Sequence, residues 1–160
     1  MSFSAEVIAQ LKDSLVAAAT GLTPTLGVDS NAVFTQSAPT GNRQVPFVLV
    51  RLPTDFEKIT WSATGNTKDS HMTVAVSLFA NVSPDGSHPF GDSSTVGILN
   101  LYDQLMNAID NARGALQTAT SPNKLVDYKT ESSISWKEDP AVATINVMID
   151  FWFRYTAGGR

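Results

Sequence analysis

The stretch "TINVMIDFWFRYT", Thr144 to Thr156, decides how the chain is read. Its odd-numbered members Ile145, Val147, Ile149, Phe151, Phe153 and Tyr155 are all apolar or aromatic, whereas Asn146, Met148, Asp150, Trp152 and Arg154 alternate with them. A two-residue period puts successive side chains on opposite sides of a strand, so one surface is apolar without interruption and the other mixes charge with Met148 and Trp152. At roughly 3.3 Å per residue, the run from Ala141 to Tyr155 would extend about 50 Å, well beyond the common strand of about 5 to 6 residues. A strand that long has more to pair with than one small core.

The preceding residues supply its first partner. Val126, Tyr128, Ile134 and Trp136 share one parity in the run Lys124 to Lys137, and Glu138-Asp139-Pro140 provides a reversal, so the chain ends in a long hairpin. Upstream, His71 to Ala80 alternates Met72, Val74, Val76, Leu78 and Ala80 with polar positions and Phe79. With Glu57 to Ala63 and the turn-prone Thr64-Gly65-Asn66-Thr67, it reads as a second antiparallel hairpin. Phe47 to Leu52, ended by Pro53, has the composition of a strand covered on both faces. Ala32-Val33-Phe34-Thr35 is the one strand-like piece in the polar, Gly- and Pro-containing excursion from Leu22 to Arg43.

Two segments have helical period. Ser4 to Thr20 aligns Val7, Ile8, Leu11, Leu15 and Ala18, with Ser4 as N-cap and Gly21 as stop. The second starts near Ser94, after the loop "SPDGSHPFGDSS" (Ser83 to Ser94), and aligns Ile98, Leu99, Tyr102, Leu105, Met106, Ile109 and Ala112 before Gly114. Helix, strands, helix and terminal hairpin describe an α+β domain: an antiparallel β-sheet with two α-helices packed on one face and a long C-terminal β-hairpin.

The 160 residues carry a formal net charge of −4, 42% hydrophobic residues and no cysteine, which suits one domain with its own core. Disulfides, thiolate metal sites and cysteine nucleophiles are excluded. No run approaches the roughly 18 apolar residues of a membrane span, and Met1-Ser2-Phe3 leads into an amphipathic helix with no basic and apolar leader, so a non-secreted, non-membrane protein is expected. Charged residues make up 16%, against about 25% in ordinary domains, a surface suited to being covered by neighbours. No Lys/Arg cluster is present to bind nucleic acid by displacing counterions.

Chemistry is sparsely provided. The two histidines, His71 at the mouth of a strand and His88 in the Pro/Gly loop, read as ordinary exposed residues. No His-x-x-x-His pair, P-loop, Gly-x-Gly-x-x-Gly or Gly-x-Ser-x-Gly element occurs. Asp85 and Asp92 beside Gly86 and Gly91 lack the alternating ligands of a calcium loop and read as turn formers. No catalytic, cofactor-binding or metal-ligating residue is expected, and no enzymatic activity. Large apolar side chains at otherwise polar positions point instead to protein contacts, where Trp, Met and Arg are enriched. The candidates are Trp136, Met148, Trp152, Arg154 and Phe79, together with His88 and Phe90 in the loop from Pro84 to Ser94.

The succession of the N-terminal amphipathic helix, the loop leading to "VPFVLVRL" (Val45 to Leu52), "HMTVAVSLFAN" (His71 to Asn81), "VGILNLYDQLMNAI" (Val96 to Ile109) and "ATINVMIDFWFRY" (Ala143 to Tyr155) resembles the tail terminator, or tail completion, proteins of long-tailed bacteriophages. The resemblance implies a single tail-terminator-like domain over residues 1–160 in a ring, usually of six subunits. Such a ring sits on the last ring of the tail tube, stops its growth and offers a head-docking surface. The implied partners are other copies of the chain, the tail tube protein and a neck/connector protein. The implied location is the virion tail or neck after assembly in the host cytoplasm, without membrane contact. DNA would pass through the channel without specific binding, and six copies at −4 would carry about −24, which repels phosphate. The alternatives are a neck or head–tail connector component of the same particle and a small-ligand-binding or enzymatic α+β domain, the last predicting a monomer with a deep polar pocket.

Overall fold

The computed structural model describes residues 3–21, 33–35, 47–61, 65–81, 97–118, 124–137 and 142–156. Two helices, α1 (Phe3–Gly21) and α2 (Ile98–Thr118), accompany six strands: β1 (Val33–Thr35), β2 (Phe47–Arg51), β3 (Glu57–Trp61), β4 (Thr67–Asn81), β5 (Lys124–Lys137) and β6 (Val142–Thr156). The expected α+β architecture is present. The sheet runs in the order β1-β2-β4-β6-β5, with β3 also paired to β4. Every pairing is antiparallel except that of β1 with β2, which is parallel and only three residues long.

The 15-residue strand β6 lies inside the sheet, not at its margin. It pairs with β4 over its full length, from Val142↔Asn81 to Thr156↔Thr67, and with β5 on its other side. This answers why the strand is long: two neighbouring strands, of 15 and 14 residues, match it.

Parity then builds the core. Ala143, Ile145, Val147, Ile149, Phe151 and Phe153 of β6, Met72, Val74, Val76 and Leu78 of β4, and Val48 and Val50 of β2 are buried with Val7, Leu11 and Leu15 of α1 and Ile98, Leu105, Ile109 and Ala112 of α2. Both helices therefore cover the same face of the sheet. A fully buried Leu, Ile or Phe side chain contributes about 1.5–3 kcal/mol by leaving water, so this single face supplies most of the driving force.

Three local features depart from simple periodicity. β2 and β3 lie along the same edge of β4, but five residues, 52–56, intervene between the register pairs Arg51↔Ala75 and Glu57↔Met72. Pro53 has no N–H to give the ladder, so the chain leaves it there and rejoins where Thr73 N–H donates to Phe56 O at 2.7 Å. In β5 a bulge falls between Leu125 and Asp127 and shifts the parity: Leu125 pairs with Phe153 and enters the core. Finally, α2 begins at Ile98, later than the expected start near Ser94. Gly97 is its N-cap, since Leu101 N–H donates to Gly97 O while Asn100 Oδ1 accepts from Gly97 N–H. Gly114 does not end the helix, which continues so that Leu116 joins the core.

Candidate interaction face

The second face of the sheet carries no helix among the described residues. Its side chains come from odd positions of β2 and β4, even positions of β6 and β3, and, past the bulge, odd positions of β5. Met148, Trp152, Arg154 and Phe79 all belong to it, brought together by the β4–β6 register. Trp136 does not: its backbone pairs with Ala143, a position of the opposite, helix-covered parity, and its side chain lies outside the described residues. His88 and Phe90, with the loop from Pro84 to Ser94 and most of Leu22 to Arg43, also lie outside them.

At one end Phe47 of β2 and Phe79 of β4 face each other across the ladder with ring centroids 4.6 Å apart and planes 18° from parallel. Beside them Leu49 and Ser77 are buried although no helix lies over them, so β2 is covered on both faces, as its composition suggests. Ser77 Oγ donates to Asn146 Oδ1 at 2.8 Å and receives Arg51 Nη2 at 3.3 Å, which satisfies the buried hydroxyl. Met148 follows in the centre, 40% exposed.

The other end is polar and aromatic. The His71 imidazole stacks on the Trp152 indole at 5.4 Å and 16°, and His71 Nδ1 lies 3.4 Å from Asp150 Oδ2. Arg154 grips Asp69 through Nε at 2.8 Å and Nη2 at 3.2 Å while its guanidinium sits 5.8 Å from the Trp152 ring centre. Trp152 is thus half-buried by its own chain, more sheltered than a free contact residue. The Arg154 hydrogen bond holds the Asp69 carboxyl below its ordinary value; burial opposes the shift, and the Arg154 charge and His71 add to it. The Trp152 indole N–H meets no acceptor at hydrogen-bond geometry among the described residues.

Asp55, Lys58, Thr60, His71, Thr73 and Asp150 line an open depression of about 430 Å³ on this face, rimmed by the excursion between β2 and β3. Among the described residues no group of three or more acidic or histidine side chains is placed to hold a metal ion. Nor is any described helix long and apolar enough to cross a membrane.

Polar contacts fasten the β5 margin to α2. Tyr128 OH donates to Asp110 of α2, Tyr102 OH of α2 meets Ser132 Oγ at 3.0 Å, and the Arg113 guanidinium lies 5.1 Å from the Tyr128 ring centre. The hydrogen bond to Asp110 raises the Tyr128 phenol above its ordinary value, helped by burial and the Asp110 charge.

No family model and no curated protein matches the chain. Among solved structures, the fold is similar to that of a chain from the virion of a native gene transfer agent particle, with a TM-score of 0.50 at 16% sequence identity, over 96% of this chain and 95% of that one.

Proposed function

We propose that this chain is a structural virion protein of a tailed, phage-like particle that forms a closed ring on the end of the tail tube, ends tube polymerisation and presents the surface on which the head docks. The observation that carries this reading is the fold shared, over nearly the full length of both chains, with a component of a gene transfer agent virion. That likeness suggests a setting, an assembled particle, and the helix-free face of the sheet fits it: Met148, Trp152, Arg154 and Phe79 stand on a surface that the described part of the chain leaves without a covering helix. The tail-terminator role within such a particle comes from the sequence resemblance. In this role no bond is made or broken, and the contacts with neighbouring copies, tube and neck are the whole of the activity.

Deleting the gene from the particle that carries it tests the role. Tail tubes of abnormal and variable length, seen by electron microscopy, are the expected result. Finished tails of normal length that fail to join heads would replace the terminator role by that of a neck or connector component, and normal intact particles would overturn both.

A further inference from the structure

Three strands have an open side among the described residues: β1 pairs only with β2, β3 only with β4 and β5 only with β6, and β3 and β5 lie on opposite margins of the sheet. Exposed edges are templates for further pairing. Two of the most exposed large apolar side chains of the described residues, Ile59 at 42% and Trp61 at 62%, sit two residues apart on one side of β3. The ammonium of Lys68 lies over the Trp61 ring at 3.8 Å.

We propose that β3 of one copy adds to β5 of the next, so that the sheet continues from protomer to protomer; the inference rests on the ring reading above and names the surfaces that make the ring. Strand direction allows it. Because β3, β4, β6 and β5 alternate in direction, β3 and β5 of one chain run oppositely, and a neighbour related by rotation about an axis along the strands presents its β3 antiparallel to β5.

The side chains select a register. Lys58 and Thr60 belong to the helix-free side of β3, and Asp127, Lys129, Glu131 and Ser133 to the same side of β5. Placing Lys58 opposite Asp127 would lay β3 across the bulge between Leu125 and Asp127. Placing it opposite Glu131 uses only regular strand. Thr60 then faces Lys129, and on the other side Ile59 faces Thr130 and Trp61 faces Tyr128, an aromatic cross-strand pair that covers the most exposed ring of β3. Glu131, which meets Lys129 at 2.7 Å within its own chain, would be shared between two lysines. Head-to-tail contacts of this kind close into a ring in which the β3 and β5 edges are both paired, whereas a single copy leaves both open.

The chain has no cysteine, so introduced thiols report without background. In the full-length double variant Thr60→Cys/Lys129→Cys, a short bismaleimide is expected to give a ladder of covalent multimers on a denaturing gel, while each single variant gives dimers at most. Lys58→Glu and Glu131→Lys are each expected to weaken self-association, followed by light scattering, at least about tenfold, and the combined reversal to restore it to within about threefold. If the unmodified chain forms rings but the double-cysteine variant gives nothing beyond dimers, edge pairing is overturned and the ring reading stands. If the unmodified chain stays monomeric up to about 1 mM, both fall. Circular dichroism identifies a charge variant that has failed to fold, in which case the cysteine result decides.

Discussion

Arg154 of β6 and Asp69 of β4, 85 positions apart in sequence, are directly opposed in the ladder and joined by two hydrogen bonds of 2.8 and 3.2 Å. The Asp69 carboxyl is held below its ordinary value of 3.8. A group whose folded value is depressed stabilises fully above its unfolded value and loses that contribution as pH falls through the folded one. Stability is therefore expected to drop below about pH 4 in a way that Arg154→Gln flattens, measured by denaturant titration between pH 7 and pH 2. Both partners are solvent-accessible, so the difference at neutral pH should be small.

Tyr128 gives the opposite limb. Its phenol is raised above 10.0, first by its hydrogen bond to Asp110. For a neutral acid stabilised in this way, the contribution is present below the unfolded value and vanishes as pH rises through the folded one. Spectrophotometric titration should find Tyr128 ionising above the ordinary tyrosine value, and Asp110→Asn should remove the delay. Tyr128→Phe is expected to cost about 1 kcal/mol by releasing β5 from α2.

The two faces of β6 should respond differently to truncation. Phe151 is fully buried, and Phe151→Ala is expected to cost about 3–5 kcal/mol in a thermal or denaturant melt. Met148 is exposed on the other side, and Met148→Ala should change monomer stability by no more than about 0.5 kcal/mol. If Met148→Ala instead unfolds the chain, the helix-free face is covered by other parts of the same molecule.

Trp152→Ala lies between these limits. Loss of the stack on His71 and of the Arg154 contact should destabilise by about 1–2 kcal/mol without unfolding the domain, read from circular dichroism and a melt. A change as large as that of Phe151→Ala would make Trp152 a core residue and remove it from the candidate interface.

The core was legible because it obeys one rule. The odd positions of β6 and even positions of β4 alternate without error, and every one from Ile145 to Phe153 and from Met72 to Leu78 is buried. Both helices were legible from their apolar stripes. What escaped was aperiodic: the bulge that brings Leu125 to the core parity has no glycine to mark it, and a parallel β1 of three residues is too short to show its direction. Helix ends moved because Asn100 caps α2 from inside, and because Gly114 has open space around it and costs the helix only propensity. For the candidate face, parity correctly grouped Met148, Trp152 and Arg154. It did not reveal that Trp152 is half-sheltered by His71, since that contact depends on register across 81 positions of sequence, nor that Ile59 and Trp61 stay exposed beyond the reach of the helices.

Cryo-electron microscopy of particles carrying this gene tests the assignment most directly. Several copies of the chain, arranged around the tube axis at its head-proximal end as one closed ring, are expected. Finding the chain absent from purified particles, or bound singly away from that axis, would contradict it.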